Sequence, residues 1–220
     1  MIPRVLEPEV MDTPEDATEY DLMNHSEVNR RFASDFFSVC PHPPGVVLDV
    51  GTGTAQIPVE MCRLHPAVLL HAVDLADEML KLAAANVAAA GFADRIRLER
   101  ANGRQLHHPD GQFAAVVSNS IIHHLPHPFE CFSEMTRVCS AGGRVFVRDL
   151  VRPHSAEQLE HLVATYAADA SAYQRQLFAD SLRAALTLAE VQTLVVELGF
   201  DPSTVTQTSD RHWTWTAIVS

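Results

Sequence analysis

Runs of apolar residues alternate with helix-patterned stretches along most of this chain. Segments near 46–50, 68–73, 95–100, 113–119 and 143–149 read as strands. Between them, 55–65, 76–90 and 128–139 carry the spacing of amphipathic helices. Strand–helix alternation predicts a parallel sheet with right-handed crossovers. After Asp149 the pattern changes. Ser155 to Asp180 is a helix-prone insert without glycine, and Thr187 to Leu198 is a further helix stopped by Gly199. Thr204–Thr208 and His212–Val219 read as two late strands. In the second, Trp213, Trp215 and Ala217 alternate with His212, Thr214 and Thr216. Upstream, Glu15 to Val39 is mostly helical in pattern, and Pro41, Pro43, Pro44 and Gly45 end it before the first strand.

The most informative joint is Val46-Val47-Leu48-Asp49-Val50-Gly51-Thr52-Gly53-Thr54-Ala55. It predicts a buried strand, a tight glycine turn and a helix. Glycine lets a ligand approach the main chain closely, and the helix start offers free N–H groups. Such a turn ends the first strand of nucleotide-binding α/β folds. The phosphate fingerprint G-x-G-x-x-G fails here, because its last position is Gln56. Asp49 would repel a pyrophosphate and suits a cationic amine. The second apolar run, interrupted only by His71, ends at Asp74, 25 residues after Asp49. That is near the spacing at which an acid meets a ribose diol. A carboxylate is a good diol reader, since hydrogen bonds to charged groups are worth about 1.5–3 kcal/mol each. Capping of the helix near Ala76 is the competing role for Asp74.

Four stretches together resemble the class I S-adenosylmethionine-dependent methyltransferases, and more narrowly the ubiquinone/menaquinone-type small-molecule group. Leu48-Asp49-Val50-Gly51-Thr52-Gly53-Thr54 is similar to the first motif, and Ala72-Val73-Asp74-Leu75-Ala76-Asp77-Glu78-Met79-Leu80 to the second. Ala101–Phe113 resembles G-D-A-x-x-L-P-F-P-D-x-S-F, and Arg137–Arg144 resembles R-V-L-K-P-G-G. The order holds from about Gly45 to Asp149. The departures are Asn102 for the aspartate that receives the adenine amino group, His107 and His108 for Pro and Phe, and Ala114 for an aspartate.

The resemblance implies an α/β fold: a doubly wound, seven-stranded Rossmann-like sheet, mostly parallel with a late antiparallel strand, plus helical lid segments. Residues 1–44 would form an amino-terminal helical extension, and 45–220 the methyltransferase domain with a helical insert near 153–185. The implied cofactor is S-adenosylmethionine, held by Asp49, Gly51, Thr52, Gly53, Asp74, Leu75, Asn102, Gly103, Asn119 and Tyr20. Catalytic candidates are His123, His124, Asp149 and Arg148. A histidine can be neutral and basic near pH 7. Arg148 and Arg152 beside Asp149 suit an anionic acceptor, or equally a structural Arg–Asp pair. Lid candidates are Tyr20, Met23, Asn24 and Arg30 from the extension, and Tyr166, Tyr173, Arg175 and Ser181 from the insert.

The 220 residues suffice for one ordinary core. A formal charge of −12 argues against a nucleic-acid partner. No secretory leader and no apolar run long enough for a membrane span are expected. Four cysteines without a C-x-x-C pair predict reduced thiols, a cytoplasmic setting and no zinc site. His123-His124-Leu125-Pro126-His127 invites a metal reading, but it follows a strand and holds a proline, so no metal is expected. The resemblance implies a small-molecule acceptor, with oligomeric state open. The alternatives are aminopropyl or cyclisation chemistry with the same cofactor, a non-catalytic cofactor-binding protein, and, more weakly, a nicotinamide enzyme.

Overall fold

The computed structural model describes residues 2–7, 13–22 and 25–220. Met23 and Asn24 lie outside these residues, as does the side chain of Tyr20. Strands β1 (Val47–Val50), β2 (Leu70–Asp74), β3 (Ile96–Arg100), β4 (Phe113–Asn119), β5 (Cys139–Leu150), β6 (Val205–Gln207) and β7 (His212–Ile218) form one sheet in the order β3-β2-β1-β4-β5-β7-β6. Parallel pairing links β3 through β5, and β7 runs antiparallel to both β5 and β6. The order reverses between β1 and β4. Ligands bind at such a switch point, beyond the carboxyl ends of the strands.

Helices cover both faces, as strands buried on two sides require. Alternation along each strand divides the core. Leu48, Val50, Val73, Trp213 and Trp215 face α5 (Pro128–Val138) and α8 (Leu188–Glu197), where Phe132 and Val191 meet them. Val47, Ala72, Val117 and Phe146 face α2 (Ser26–Val39), α3 (Gln56–Leu64) and α4 (Asp77–Ala89). Phe32 and Phe36 of α2 meet the Phe146 ring edge-on, at 5.1 and 5.9 Å. The extension thus belongs to the core on this side. Helix α1 (Pro14–Leu22) packs Ala17 against Ala76 and Met79 at the start of α4.

The helix-prone insert is two helices, α6 (Ala156–Tyr166) and α7 (Ala172–Ala184). The reason is local. The Ser171 side chain accepts from the Gln174 N–H, and the Gln174 side chain accepts from the Ser171 N–H. This capping box starts a new helix. Strand β5 is longer than expected. It begins at Cys139 and absorbs Gly142 (φ +77°) in an irregularity before Arg144.

Candidate functional site

The turn after β1 is wound tightly. Gly51 (φ +75°), Gly53 (φ +55°) and Ala55 (φ +59°) all adopt left-handed backbone, so alanine accepts strain at the third position. A Cβ on Gly51 would lie 2.2 Å from Ile121 Cγ2, which leaves no room for one. Asp74 organises this turn. Its Oδ2 accepts from the Gly53 N–H at 2.7 Å, and its Oδ1 from the Ala76 N–H at 2.9 Å. The bond to the Ala76 N–H holds the chain just ahead of α4, whose own N-cap, Ala76, makes no side-chain cap. A carboxylate oxygen carries two lone pairs, so these bonds are compatible with reading a ligand hydroxyl.

A cleft opens beyond these strand ends. It spans about 860 Å³, counting space open to solvent. Gly51, Gly53, Asp74, Leu75, Asn102, Gly103 and Asn119 line it, so seven of the ten expected cofactor residues converge. Asn102 Oδ1 accepts from the Arg104 N–H at 3.0 Å and shapes the loop after β3. Asp49 and Thr52 line a smaller adjoining cavity instead, together with Asn29, Thr54, Gln56 and Ile57. The two cavities share Gly51 and Asn119.

The smaller cavity has the polarity a zwitterionic amino-acid end requires. Asp49 Oδ2 and Thr52 Oγ1 are buried without a hydrogen-bond partner. Burial, with the nearby Asp74 charge adding to it, pushes the Asp49 carboxyl up to about 7. An ammonium group there would supply the missing charge and hydrogen bonds. These orphaned atoms fit S-adenosylmethionine: its methionine end would lie against Asp49 and Thr52, and its ribose against Asp74.

The opposite wall is built from Asn119, Ser120, Ile121, His124 and Leu125. Ser120 is a second non-glycine residue in left-handed backbone (φ +59°), and its N–H is fixed by the Arg148 carbonyl at 2.9 Å. The 3-10 turn Ile122–His124 follows. Asp149 Oδ2 accepts the N–H groups of Ile122 and His123 at 2.6 and 3.2 Å. Its Oδ1 lies 2.6 Å from His123 Nδ1. His123 Nε2 points the other way, 3.3 Å from Glu7 Oε1.

Burial alone would lower the His123 pKa. The flanking Asp149 and Glu7 carboxylates outweigh it and raise the pKa to about 9. Burial would likewise raise Asp149, and the His123 ion pair holds it below the usual carboxylate range. His123 is therefore a buried imidazolium away from the cleft wall, which corrects its candidacy as general base: it has no lone pair to offer. Asp149 is equally occupied. His124 is the histidine that lines the cleft, with Nδ1 3.2 Å from Glu7 Oε1. Glu7, His123 and His124 bring three donor atoms within 4.8 Å of one another. The charge those donors attract is already supplied by the His123 proton.

Arg148 is not at the site, which corrects the anionic-acceptor reading. Alternation on β5 sends Asp149 to the α5 face and Arg148 to the α2 face. There Arg148 donates to Asp35 Oδ2 (2.8 Å) and Thr214 Oγ1 (2.9 Å), with its guanidinium over the Phe146 ring. Arg152 pairs with Glu190 at 2.7 Å. Among the described residues, none from the insert lines either cavity. Tyr173 is exposed, and Tyr166 bonds Asp210. The insert acts at one remove, because the amino-terminal strap of residues 2–7 bridges it to the cleft wall. Arg4 donates to the carbonyls of Ala184 (2.6 Å), His123 (3.1 Å) and Leu125 (2.9 Å). The Val5 N–H reaches Arg183, and the Ser181 hydroxyl donates to Glu7 Oε2 at 3.3 Å. Nothing in the local sequence around Arg4 and Glu7 signals this. The partners lie more than a hundred residues away.

Comparison with known proteins agrees with this geometry. Residues 47–143 match a family model described as a methyltransferase domain. The chain is 34% identical over 112 residues to a ubiquinone/menaquinone biosynthesis C-methyltransferase of Geobacter sulfurreducens, covering 50% of this chain and 44% of that protein. It is 35% identical over 104 residues to a phosphatidylethanolamine N-methyltransferase of Cereibacter sphaeroides, covering 47% and 49% respectively. The chain therefore spans about half the length of these curated relatives. A crystal structure of an S-adenosylmethionine-dependent methyltransferase from Methanococcus maripaludis, described as putative, shares the fold at a TM-score of 0.75 and 15% identity. The match covers 98% of this chain and 97% of that one. Sequence match, sheet order and cleft coincide on one segment: residues 47–143 match a methyltransferase domain, and the chain is similar to S-adenosylmethionine-dependent methyltransferases, those of ubiquinone/menaquinone biosynthesis among them.

Proposed function

We propose that the protein transfers the sulfonium methyl group of S-adenosylmethionine to a small-molecule acceptor bound against Ser120, Ile121, His124 and Leu125. The observation that carries this is the pairing of two cavities across Gly51 and Asn119. One holds buried, partnerless Asp49 and Thr52 oxygens. The other ends at His124. When bound, the cofactor supplies an activated methyl group. The chain's own residues then need only to orient and deprotonate. The glycine turn and Asp74 fix one side of the cleft, and the Asp149-bonded Ile122–His124 turn fixes the other. Holding the reacting groups in line is worth about 7–11 kcal/mol.

His124 is the residue assigned to take the acceptor's proton, because it is the histidine that lines the cleft. The enclosed wall and the acidic chain favour a metabolite over nucleic acid. The relatives' printed names include a carbon and a nitrogen methyltransferase, so the acceptor atom is left open. The described cysteines are free, and no helix among the described residues is long and apolar enough to cross a membrane. Both facts suit a cytoplasmic enzyme. Incubation with methyl-labelled cofactor and a metabolite extract tests the assignment by mass spectrometry. The expected result is one species gaining a methyl group with stoichiometric S-adenosylhomocysteine. Release of methylthioadenosine, or binding without turnover, overturns it. His124→Asn should then cut kcat by about 100-fold or more with cofactor affinity retained.

A further inference from the structure

Two histidines depart from the sequence pattern with no role in the cleft. His71 interrupts the apolar run of β2, and His108 stands where the related motif has phenylalanine. The fold brings them together on the α5 face of the sheet, at its β3 edge. Their ring centroids are 4.9 Å apart and the rings are inclined at 71°. Glu99 of β3 lies between them. His71 Nε2 is 2.8 Å from Glu99 Oε2, and His108 Nε2 is 3.8 Å from Glu99 Oε1.

We propose that His71, Glu99 and His108 form a site for a divalent transition-metal ion of the zinc class. Metal–nitrogen and metal–oxygen bonds of about 2.0–2.2 Å at tetrahedral angles put neighbouring donors about 3.3 Å apart. The two observed separations straddle that value. All three donor atoms lie within 4.8 Å of one another. His108 gives the second, independent sign. Its side chain is 9% exposed, and its Nε2 is buried with no hydrogen-bond partner, facing the Glu99 carboxylate. A buried ring nitrogen is seldom left so.

The surroundings suit a metal. His71 is only 6% exposed, so its ring is held in place beside Glu99 and His108. Glu99 is 31% exposed, which leaves an approach from solvent and room for a water as fourth ligand. Arg97 lies 3.4 Å from Glu99 Oε2, but its side chain is 74% exposed and can turn outward. Imidazole and carboxylate donors favour zinc, nickel or copper over magnesium or calcium, which take oxygen ligands. Residues 99 and 108 also bracket the loop that carries Asn102 and Gly103. A bound ion would therefore clamp the adenine side of the cleft from behind.

Cobalt(II), which reports its ligands through visible absorption, followed by competition with zinc, tests the site on the full chain. Wild type should bind one equivalent, with zinc displacing cobalt. His108→Phe restores the related motif's residue and should keep the fold, checked by circular dichroism. It should weaken binding by about tenfold or more, as loss of a metal-site group typically does. Glu99→Gln, at a partly exposed position, should do the same. His124→Asn should leave binding unchanged. Three results would overturn the proposal: no stoichiometric binding by wild type, undiminished wild-type affinity in either site variant, or loss of binding in His124→Asn, which would move the ion to the Glu7–His123–His124 cluster.

Discussion

Cofactor binding should release a proton from Asp49. Buried beside Asp74 with no counter-charge, this carboxyl has a pKa of about 7 in the unliganded protein. An ammonium against it stabilises the carboxylate and lowers that pKa. Affinity should then rise with pH up to about 7 and level off. About 3% of Asp49 is ionised at pH 5.5 and about half at pH 7, which predicts binding weaker by roughly fifteenfold at pH 5.5, or about 1.6 kcal/mol. Both pH values lie below the reference range of about 7.7–8.0 for an α-amino group, so the ligand stays cationic throughout. Titration calorimetry at pH 6 in buffers of different ionisation enthalpy should find about 0.9 proton released per cofactor bound. Asp49→Asn should bind more weakly and lose both the pH dependence and the proton. The unliganded protein should show the converse. A folded pKa above the unfolded value near 3.8 means the native state holds the extra proton. Stability should therefore fall as pH rises from about 4 to about 7, by up to about 4 kcal/mol, an effect absent in Asp49→Asn. Equal wild-type dissociation constants at pH 5.5 and 7, or the same dependence in Asp49→Asn, would refute the placement of the ammonium.

Four further outcomes follow from the same contacts. Asp74→Ala should weaken cofactor binding about tenfold or more by calorimetry and also loosen the turn, because the Gly53 and Ala76 N–H groups lose their acceptor. Gly51→Ala should cost about 2–3 kcal/mol in urea unfolding, combining left-handed strain with the Ile121 clash. His123→Gln should cost about 3–5 kcal/mol, since it leaves Asp149 and Glu7 buried without their cation. In wild type the His123 contribution is complete below pH 6.5 and is lost as pH rises through about 9, while that of Asp149 is present above about pH 4 and lost as pH falls, so unfolding at pH 6 and pH 9.5 should differ by up to about 3 kcal/mol more in wild type than in His123→Gln. Arg4→Ala frees three carbonyls and should destabilise by about 2 kcal/mol, raising the acceptor KM more than it lowers cofactor affinity.

The sheet was legible because β1, β2 and β4 are short, mostly apolar runs and β3 and β7 alternate apolar with polar residues, and both patterns depend on local residues. Observed strand bounds differ from the expected ones by one or two residues in most cases. Strand β5 is the exception. It starts four residues early, because Gly142 allows an irregularity that keeps Cys139 paired with Phe113. The insert's lack of glycine says nothing about where a helix restarts; the restart lies in the Ser171–Gln174 pair. On the cofactor side, residues follow one another at strand ends, so the motif and its geometry coincide. Arg148 was misplaced for a physical reason. Sequence neighbours on a strand point to opposite faces, so the adjacency of Arg148 and Asp149 that suggested a shared pocket in fact separates them.

The two walls of the cleft are held by different kinds of contact, and this bears on specificity. The cofactor wall is made by the backbone of β1, β2 and the loop after β3, with Asp74 bonding its own turn. The amino-terminal helices brace it, with Ala17 on Ala76 and Met79, and Asp21 and Asn29 bonded to Gln56. The acceptor wall is a short turn whose shape depends on distant groups: Asp149 beneath its N–H groups, Arg4 on the carbonyls of His123 and Leu125, and Glu7 against both histidines. Residues 2–7 in turn lean on α7 through Arg183, Ala184 and Ser181. Changes in the strap or in α7 can therefore reshape the acceptor side while the cofactor side stays fixed. Proteins that share the core of this chain carry names specifying carbon and nitrogen acceptors. A wall shaped by distant segments beside a separately held cofactor floor is an arrangement that permits such divergence.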